Sequence, residues 1–110
     1  MVTAKFYTEE GSVGLSMVGH AGHGKKGEDI VCAAASILAY TAAQSVAFMA
    51  AQGKLTDAPV IILEPGKCLV KARPADKYLY ELFHTFFVVQ VGFSLLATRY
   101  PENVKLDAFC

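Results

Sequence analysis

Residues 29–53 read DIVCAAASILAYTAAQSVAFMAAQG, and no charged side chain follows the first residue of this stretch. Aspartate favours the N-cap of a helix, and glycine often follows the last helical residue. Asp29 and Gly53 therefore predict a helix that begins at Ile30 and ends at about Gln52. A helix of this length dominates a chain of 110 residues, so the rest of the fold must pack around it.

The same helix is long enough to cross a lipid bilayer, but its composition argues against a membrane span. Ser36, Tyr40 and Gln44 recur every four residues and place a polar stripe along one side. Many of the other positions are alanine, which drives membrane insertion weakly compared with leucine, isoleucine or phenylalanine. We expect a helix buried in a soluble core and covered by a second layer or a second subunit.

Turn and strand signals on either side of this helix predict the remaining elements. These are the strands Val2–Tyr7, Val13–Val18, Pro59–Leu63, Lys67–Lys71 and Asn103–Leu106, a glycine-rich loop from Gly19 to Asp29, and a second helix from about Ala75 to Arg99. The order β-β-α-β-β-α-β predicts an α+β two-layer sandwich, with a small mixed or antiparallel sheet and two long helices, as one domain over residues 1–110. The apolar half of the second helix, Phe86–Ala97, should be sandwiched between other elements. A homodimer, the commonest oligomer, would cover one of the two helices.

Composition excludes several classes of protein. Ten basic and ten acidic residues give a formal net charge of zero, unlike general nucleic-acid binders or polybasic membrane-surface proteins. A hydrophobic fraction of 54% excludes a disordered chain. The three cysteines lack the spacing of a disulfide framework, and the first residues lack the apolar core of a signal peptide. We expect an intracellular protein in a reducing setting, with no membrane or nucleic-acid partner.

Cys32 is the strongest candidate for a reactive residue, because it would lie in the first turn of the helix. Unpaired backbone N–H groups and the helix dipole favour a thiolate at that position. His20 lies at the start of a glycine-rich loop that can fold back toward the helix. The imidazole could take the thiol proton and later protonate a leaving amine, while first-turn N–H groups stabilise an oxyanion.

Each of these residues also has a structural interpretation. Cys32 could be a buried core cysteine at a helix start. Asp29 could be a cap only, or it could also orient His20 as triad carboxylates orient their histidines. Ser36, one turn after Cys32, could line a pocket or be a small residue that allows close helix packing.

Residues of the glycine-rich loop and the helix start could also form a phosphate-binding site or a zinc site. Gly19, Gly24 and Lys25 have the spacing of a phosphate-binding loop, but Lys26 stands where a hydroxyl residue must bind Mg²⁺. A zinc site is the other alternative, with a ligand spacing unlike that of known zinc fingers. Its ligands would be His20, His23 and Cys32, with Cys68 or Asp29 as the fourth.

The remaining cysteine, histidine and phenylalanine residues carry little functional signal. Cys68 is predicted in the core, the terminal Cys110 exposed, and His84 on the surface. One aromatic group at helical spacing is predicted to form core, a dimer contact or an apolar groove for substrate: Phe83, Phe86, Phe87 and Phe93.

A dense run of identities resembles the signature of the ribosomal-processing cysteine protease family called Prp. The run comprises Gly19-His20-Ala21, Gly27, Asp29-Ile30-Val31-Cys32-Ala33-Ala34 and Ser36. Length, element order and the low-charge helix also fit this family. One departure is Ala35, at a position where the family often has valine; we expect it to have no effect.

The resemblance implies a cytoplasmic bacterial endopeptidase that needs no metal or cofactor. By this resemblance Cys32 is the nucleophile and His20 is its base. Asp29 and Ser36 are the candidate supporting residues. Gly19, Ala21 and Gly27 would belong to a loop that orders around substrate. The implied protein is a homodimer that removes a short N-terminal extension from large-subunit ribosomal protein twenty-seven, cutting after an apolar, aromatic-rich segment. The alternative is a noncatalytic, ribosome-associated module that binds a peptide in the same groove.

Overall fold

The computed structural model describes residues 1–22 and 29–109, which form two long helices and five strands. The elements are β1 (Val2–Glu9), β2 (Ser12–Val18), α1 (Ile30–Ala51), β3 (Val60–Glu64), β4 (Lys67–Ala72), a 3₁₀ turn (Asp76–Tyr78), α2 (Leu79–Arg99) and β5 (Val104–Asp107). Their order agrees with the predicted one. Most boundaries differ from the predictions by one or two residues. The start of the second helix is the exception, because its first turn is 3₁₀ and the α-helix begins only at Leu79.

The strands form one mixed sheet in the order β3-β4-β2-β1-β5. Neighbouring strands are antiparallel, except that β5 runs parallel to β1. The buried apolar side chains of β1, β2 and β4 alternate along each strand and lie on one face of the sheet, as Val2, Ala4 and Phe6 do in β1. Both helices pack on that face and against each other. The predicted α+β two-layer sandwich is confirmed.

Two tight turns set the register of the hairpins. Glu10 and Gly11 both have positive φ, 48° and 83°, as a two-residue turn of type I′ requires between paired strands. Pro65 and Gly66 join β3 to β4, and only Gly66 takes a positive φ, 75°, because proline fixes φ near −65°. This second turn lies beside the loop that follows β2, because Val18 pairs with Lys67.

Alanine lets α1 lie close to the sheet. Its buried positions are Val31, Ala35, Ala39, Ala42, Ala43, Val46 and Met49, which form one stripe of a 22-residue helix. Asp29 caps its N-terminus and Gly53, with φ 70°, follows its C-cap residue, as the sequence predicts. Within the single chain the sheet and α2 cover only part of this helix, because Ile37, Tyr40 and Phe48 are exposed.

One side of α2 supplies the largest core residues. Phe86 and Phe93 are fully buried, and Phe93 packs edge-on against Phe6 with ring centroids 5.8 Å apart. Phe87 and Leu95 on the opposite side are exposed, so this helix is not sandwiched within one chain. Both long helices are apolar and long enough to meet the length and composition criteria of a membrane span, which core helices of soluble proteins also meet.

Candidate active site

The first turn of α1 is organised by Asp29. Its Oδ1 accepts hydrogen bonds from the backbone N–H groups of Val31, at 3.0 Å, and Cys32, at 3.1 Å. Cys32 is the third residue of the helix and is half-buried. The carboxylate of Asp29 therefore occupies two of the first-turn N–H groups that the sequence offers for stabilising a substrate oxyanion.

Residues 19–21 bring the chain from the end of β2 to this helix start. Gly19 has φ 102°, and a Cβ there would overlap the carbonyl oxygen of Met1, so only glycine fits this crossing. The backbone N–H of Gly19 donates to the carbonyl of Gly66 over 2.9 Å. The N–H of Ala21, a residue only 2% exposed, donates to Sγ of Cys32 over 3.3 Å. Residues 19–21 therefore lie against the start of the helix.

His20 lies between Gly19 and Ala21, whose backbone N–H groups are both hydrogen-bonded. A Cβ placed on Gly66 would lie 2.8 Å from Nε2 of His20 and 3.1 Å from its Cε1, so the imidazole rests directly on the glycine. Within residues 1–22 and 29–109 no hydrogen bond joins the side chains of His20 and Cys32. Catalytic hydrogen bonds are often long or misaligned without substrate and shorten when it binds.

Both residues line one cavity of about 600 Å³ between α1 and the sheet. Cys32, Ser36 and Tyr40 line it from successive turns of the helix. Met17 and Cys68 line it from paired positions of the sheet, and Leu63, Glu64, Pro65 and Gly66 close it at the β3–β4 turn. Gly19, Gly22 and Asp29 also line it, so most of the predicted site residues in the described ranges meet here. Its walls are mainly apolar, which suits an extended peptide with apolar side chains.

The two thiols of this cavity differ in their surroundings. Cys68 is 4% exposed, and its burial raises the pKa of its thiol, opposed by a hydrogen bond with the backbone of Glu64. A thiol with a raised pKa holds less thiolate at neutral pH and is a poor nucleophile. Cys32 is half-buried at the helix N-terminus and accepts an N–H group at its sulfur. Cys68 is thus a core residue, as predicted, and Cys32 is the better placed nucleophile.

The competing phosphate-loop and zinc hypotheses gain no support from the described ranges. Among residues 1–22 and 29–109, no three His, Cys, Asp or Glu side chains cluster so that they could hold a metal ion. Several residues that these hypotheses and the predicted substrate loop rely on lie outside the described ranges: His23, Gly24, Lys25, Lys26 and Gly27, and so does Cys110. His84 lies exposed on α2, as predicted.

Sequence reasoning missed two residues that hold this site together. The Nδ2 of Asn103 donates to the carbonyl of Ala21 over 2.8 Å, although 82 positions separate them in the chain. Gly66 supports His20 from the β3–β4 turn. The Pro-Gly turn is visible in the sequence, but only the strand order shows that it lies beside the histidine.

Comparison with known proteins gives a consistent result. A family model described as Cysteine protease Prp matches residues 1–105. The essential ribosomal processing protease Prp of S. aureus, solved with a covalently linked product peptide, is 26% identical, with a TM-score of 0.72. The match covers 98% of this chain and 99% of that one.

Two further crystal structures are similar. A protein from Streptococcus mutans is 26% identical, with a TM-score of 0.69, and the match covers 99% of this chain and 94% of that one. The S. aureus protease with a substrate peptide, at 24% identity and a TM-score of 0.68, shows the same fold over 98% of this chain and 99% of that one. No curated protein matches the sequence significantly.

Proposed function

The chain belongs to the Prp family of ribosomal-processing cysteine proteases, and we propose that it removes a short N-terminal extension from large-subunit ribosomal protein twenty-seven, with Cys32 as nucleophile and His20 as base. The family makes the protein a hydrolase that cleaves peptide bonds. The identity of the substrate and the roles of the two residues are the proposal.

One observation carries the assignment of the nucleophile. The Ala21 N–H group donates to Sγ of Cys32 at the mouth of a cavity that His20 also lines. This bond holds the sulfur beside the cavity, and the thiolate is the reactive form of cysteine. The covalently linked product peptide in the S. aureus relative supports a covalent peptidyl intermediate here as well.

The proposed reaction proceeds in two halves. His20 accepts the proton of the Cys32 thiol, and the sulfur attacks the carbonyl carbon of the scissile peptide bond. The imidazolium then gives its proton to the leaving amine as the C–N bond breaks, which leaves a thioester on Cys32. In the second half, His20 accepts a proton from water as the water oxygen attacks the thioester carbon. The C–S bond then breaks, the imidazolium returns the proton to the departing sulfur, and the thiol is regenerated as the acid product leaves.

A cleavage assay read by intact mass spectrometry tests this proposal. Purified protein is mixed with the full-length precursor of ribosomal protein twenty-seven, in parallel with Cys32→Ala, Cys32→Ser and His20→Ala variants. We expect one N-terminal cut by the wild type and none by either Cys32 variant. The Cys32→Ser variant stays folded, because its hydroxyl differs from the thiol by one atom. Cleavage by the Cys32→Ala variant would overturn the assignment of Cys32 as the nucleophile. Binding of the precursor without any cut would favour the peptide-binding alternative.

We also propose that the protein is a cytoplasmic homodimer. Ile37 on α1 and Leu95 on α2 are 61% and 69% exposed and line one apolar groove between the two helices. Two exposed apolar helix faces on one small domain favour a second subunit as their cover. Light scattering on a size-exclusion column tests the assembly: a monomer mass at micromolar concentration would overturn it. Fractionation of cells tests the location.

A further inference from the structure

We propose that Gly66 and Asn103 are positioning residues for the reaction: Gly66 seats the imidazole of His20, and Asn103 fixes the Ala21 N–H group that donates to Cys32. This inference rests on the proposed roles of Cys32 and His20. Neither residue forms a bond to substrate or transfers a proton in the proposed mechanism. Each acts through the short segment 19–21, which carries the base and the donor to sulfur.

Gly66 positions this segment in two ways. Its carbonyl accepts a hydrogen bond, and its lack of a side chain leaves space for the imidazole of His20. Its carbonyl accepts the N–H of Gly19 over 2.9 Å, so the β3–β4 turn anchors the residue before His20. Any Cβ at this position would come within 2.8 Å of Nε2 and 3.1 Å of Cε1 of the imidazole. Real Cβ atoms do not come that close to other atoms, so a side chain here must displace the ring. The imidazole is the exposed end of a rotatable side chain, so it moves more easily than the turn does.

Asn103 holds the other end of the segment. Its Nδ2 donates to the carbonyl of Ala21 over 2.8 Å, and its own backbone carbonyl accepts the N–H of Val2 over 2.8 Å. Asn103 is therefore itself fixed, at the residue before β5, where that strand pairs with β1. With its carbonyl held in this way, Ala21 can turn its N–H toward Sγ of Cys32 at 3.3 Å. Loss of the amide donor frees Ala21 to rotate away from the sulfur.

The chain offers a matched control for the Gly66 part of the proposal, which is called the Gly66 arm below. Gly53 has φ 70°, close to the 75° of Gly66, but a Cβ there would meet nothing within 4 Å. Gly53→Ala therefore adds the same backbone strain as Gly66→Ala without a contact to His20. Gly66→Asn is a second test variant, because asparagine tolerates a left-handed backbone and still carries a Cβ.

Steady-state cleavage of a peptide substrate, with thermal unfolding of each variant, tests this arm. We expect Gly66→Ala and Gly66→Asn to lower kcat by about tenfold or more with little change in KM, since displacement of a catalytic group by about 1 Å costs up to ~100-fold. Gly53→Ala should unfold at a temperature similar to Gly66→Ala and keep kcat within about twofold of the wild type. A Gly66→Asn variant with wild-type kcat would overturn this arm.

The Asn103 part of the proposal, the Asn103 arm, is tested by the reactivity of the Cys32 thiol in the absence of substrate. Asn103→Ala and the nearly isosteric Asn103→Asp remove the amide donor to Ala21. The control is Gln90→Ala, which removes another 2.8 Å bond between a side-chain amide and the backbone, from Phe109 N–H to Gln90 Oε1, on α2. We expect the alkylation rate of Cys32 by iodoacetamide at pH 7, followed by peptide mapping, to fall at least about threefold in both Asn103 variants and to stay unchanged in the control. Equal rates in all four proteins would overturn this arm.

The catalytic variants separate failure of this inference from failure of the proposed function. If Cys32→Ala and His20→Ala abolish cleavage while the Gly66 and Asn103 variants behave like their controls, positioning is overturned and the mechanism stands. If His20→Ala cleaves at the wild-type rate, its role as base is overturned. The Gly66 arm then fails with it, whereas the alkylation result still decides the Asn103 arm.

Discussion

Replacing Asp29 with alanine should destabilise the protein through the N-terminus of α1. The carboxylate accepts two hydrogen bonds, from Val31 N–H at 3.0 Å and Cys32 N–H at 3.1 Å, and alanine provides no acceptor for either. Loss of an N-cap of this kind costs about 1 kcal/mol, within a range of roughly 0.5–2. For a domain of this size, that corresponds to a fall in Tm of roughly 4 °C. Asp29→Asn keeps a capping oxygen, and asparagine caps about as well as aspartate, so its Tm should fall by about 1 °C or less.

Thermal unfolding followed by circular dichroism measures both variants at the same pH and protein concentration, because a dimer would make Tm depend on concentration. The pair separates two explanations of the residue. If the hydrogen-bonded cap matters, only the alanine variant loses stability. If the negative charge matters instead, the asparagine variant loses as much as the alanine variant. Equal Tm values for Asp29→Ala and the wild type would refute the capping argument altogether.

Two further predictions concern the thiols and the surface charges. Iodoacetamide at pH 7 should modify Cys32 and leave Cys68 unmodified in the folded protein, because burial raises the pKa of the Cys68 thiol. Peptide mapping measures the labelling of each cysteine. Equal labelling of Cys32 and Cys68 before unfolding would contradict the prediction. The hydrogen bond from Lys71 to Glu9, 3.1 Å long, raises the pKa of Lys71 above its ordinary value of 10.5. Any stabilisation by this pair is then fully present below about pH 10.5 and is lost as the pH rises through the raised pKa of Lys71. The free energies of unfolding of the wild type and Lys71→Met, measured by urea titration, should therefore converge above that pH. A difference that widens there would count against the pair.

The local signals of the sequence were sufficient for the elements and for the position of the candidate nucleophile in the first turn of α1. Asp29 and Gly53 mark the ends of α1 because capping depends on residues that adjoin the helix. Cys32 could be placed in the first turn for the same reason, since its position depends only on where the helix starts. The hairpin turns at Gly11 and Gly66 were also readable, because a positive φ favours glycine whatever the rest of the fold.

The burial of the two long helices could not be predicted in the same way. The sequence shows that both are apolar on most sides, but not that they lie side by side on one face of the sheet. That arrangement buries the alanine stripe of α1 and the phenylalanine side of α2 and leaves Ile37 and Leu95 exposed in the single chain. Only the packing of the elements decides which side of an apolar helix faces the core.

The sequence by itself determined the order of the elements, the cap that places Cys32 in a first turn, and the histidine that begins the adjoining loop. The tertiary structure alone decided what holds residues 19–21 in place. Gly66 reaches His20 because β4 pairs with β2, and Asn103 reaches Ala21 because β5 pairs in parallel with β1. Strand pairing joins residues far apart in the chain, and no local preference of glycine or asparagine encodes which partner they will meet.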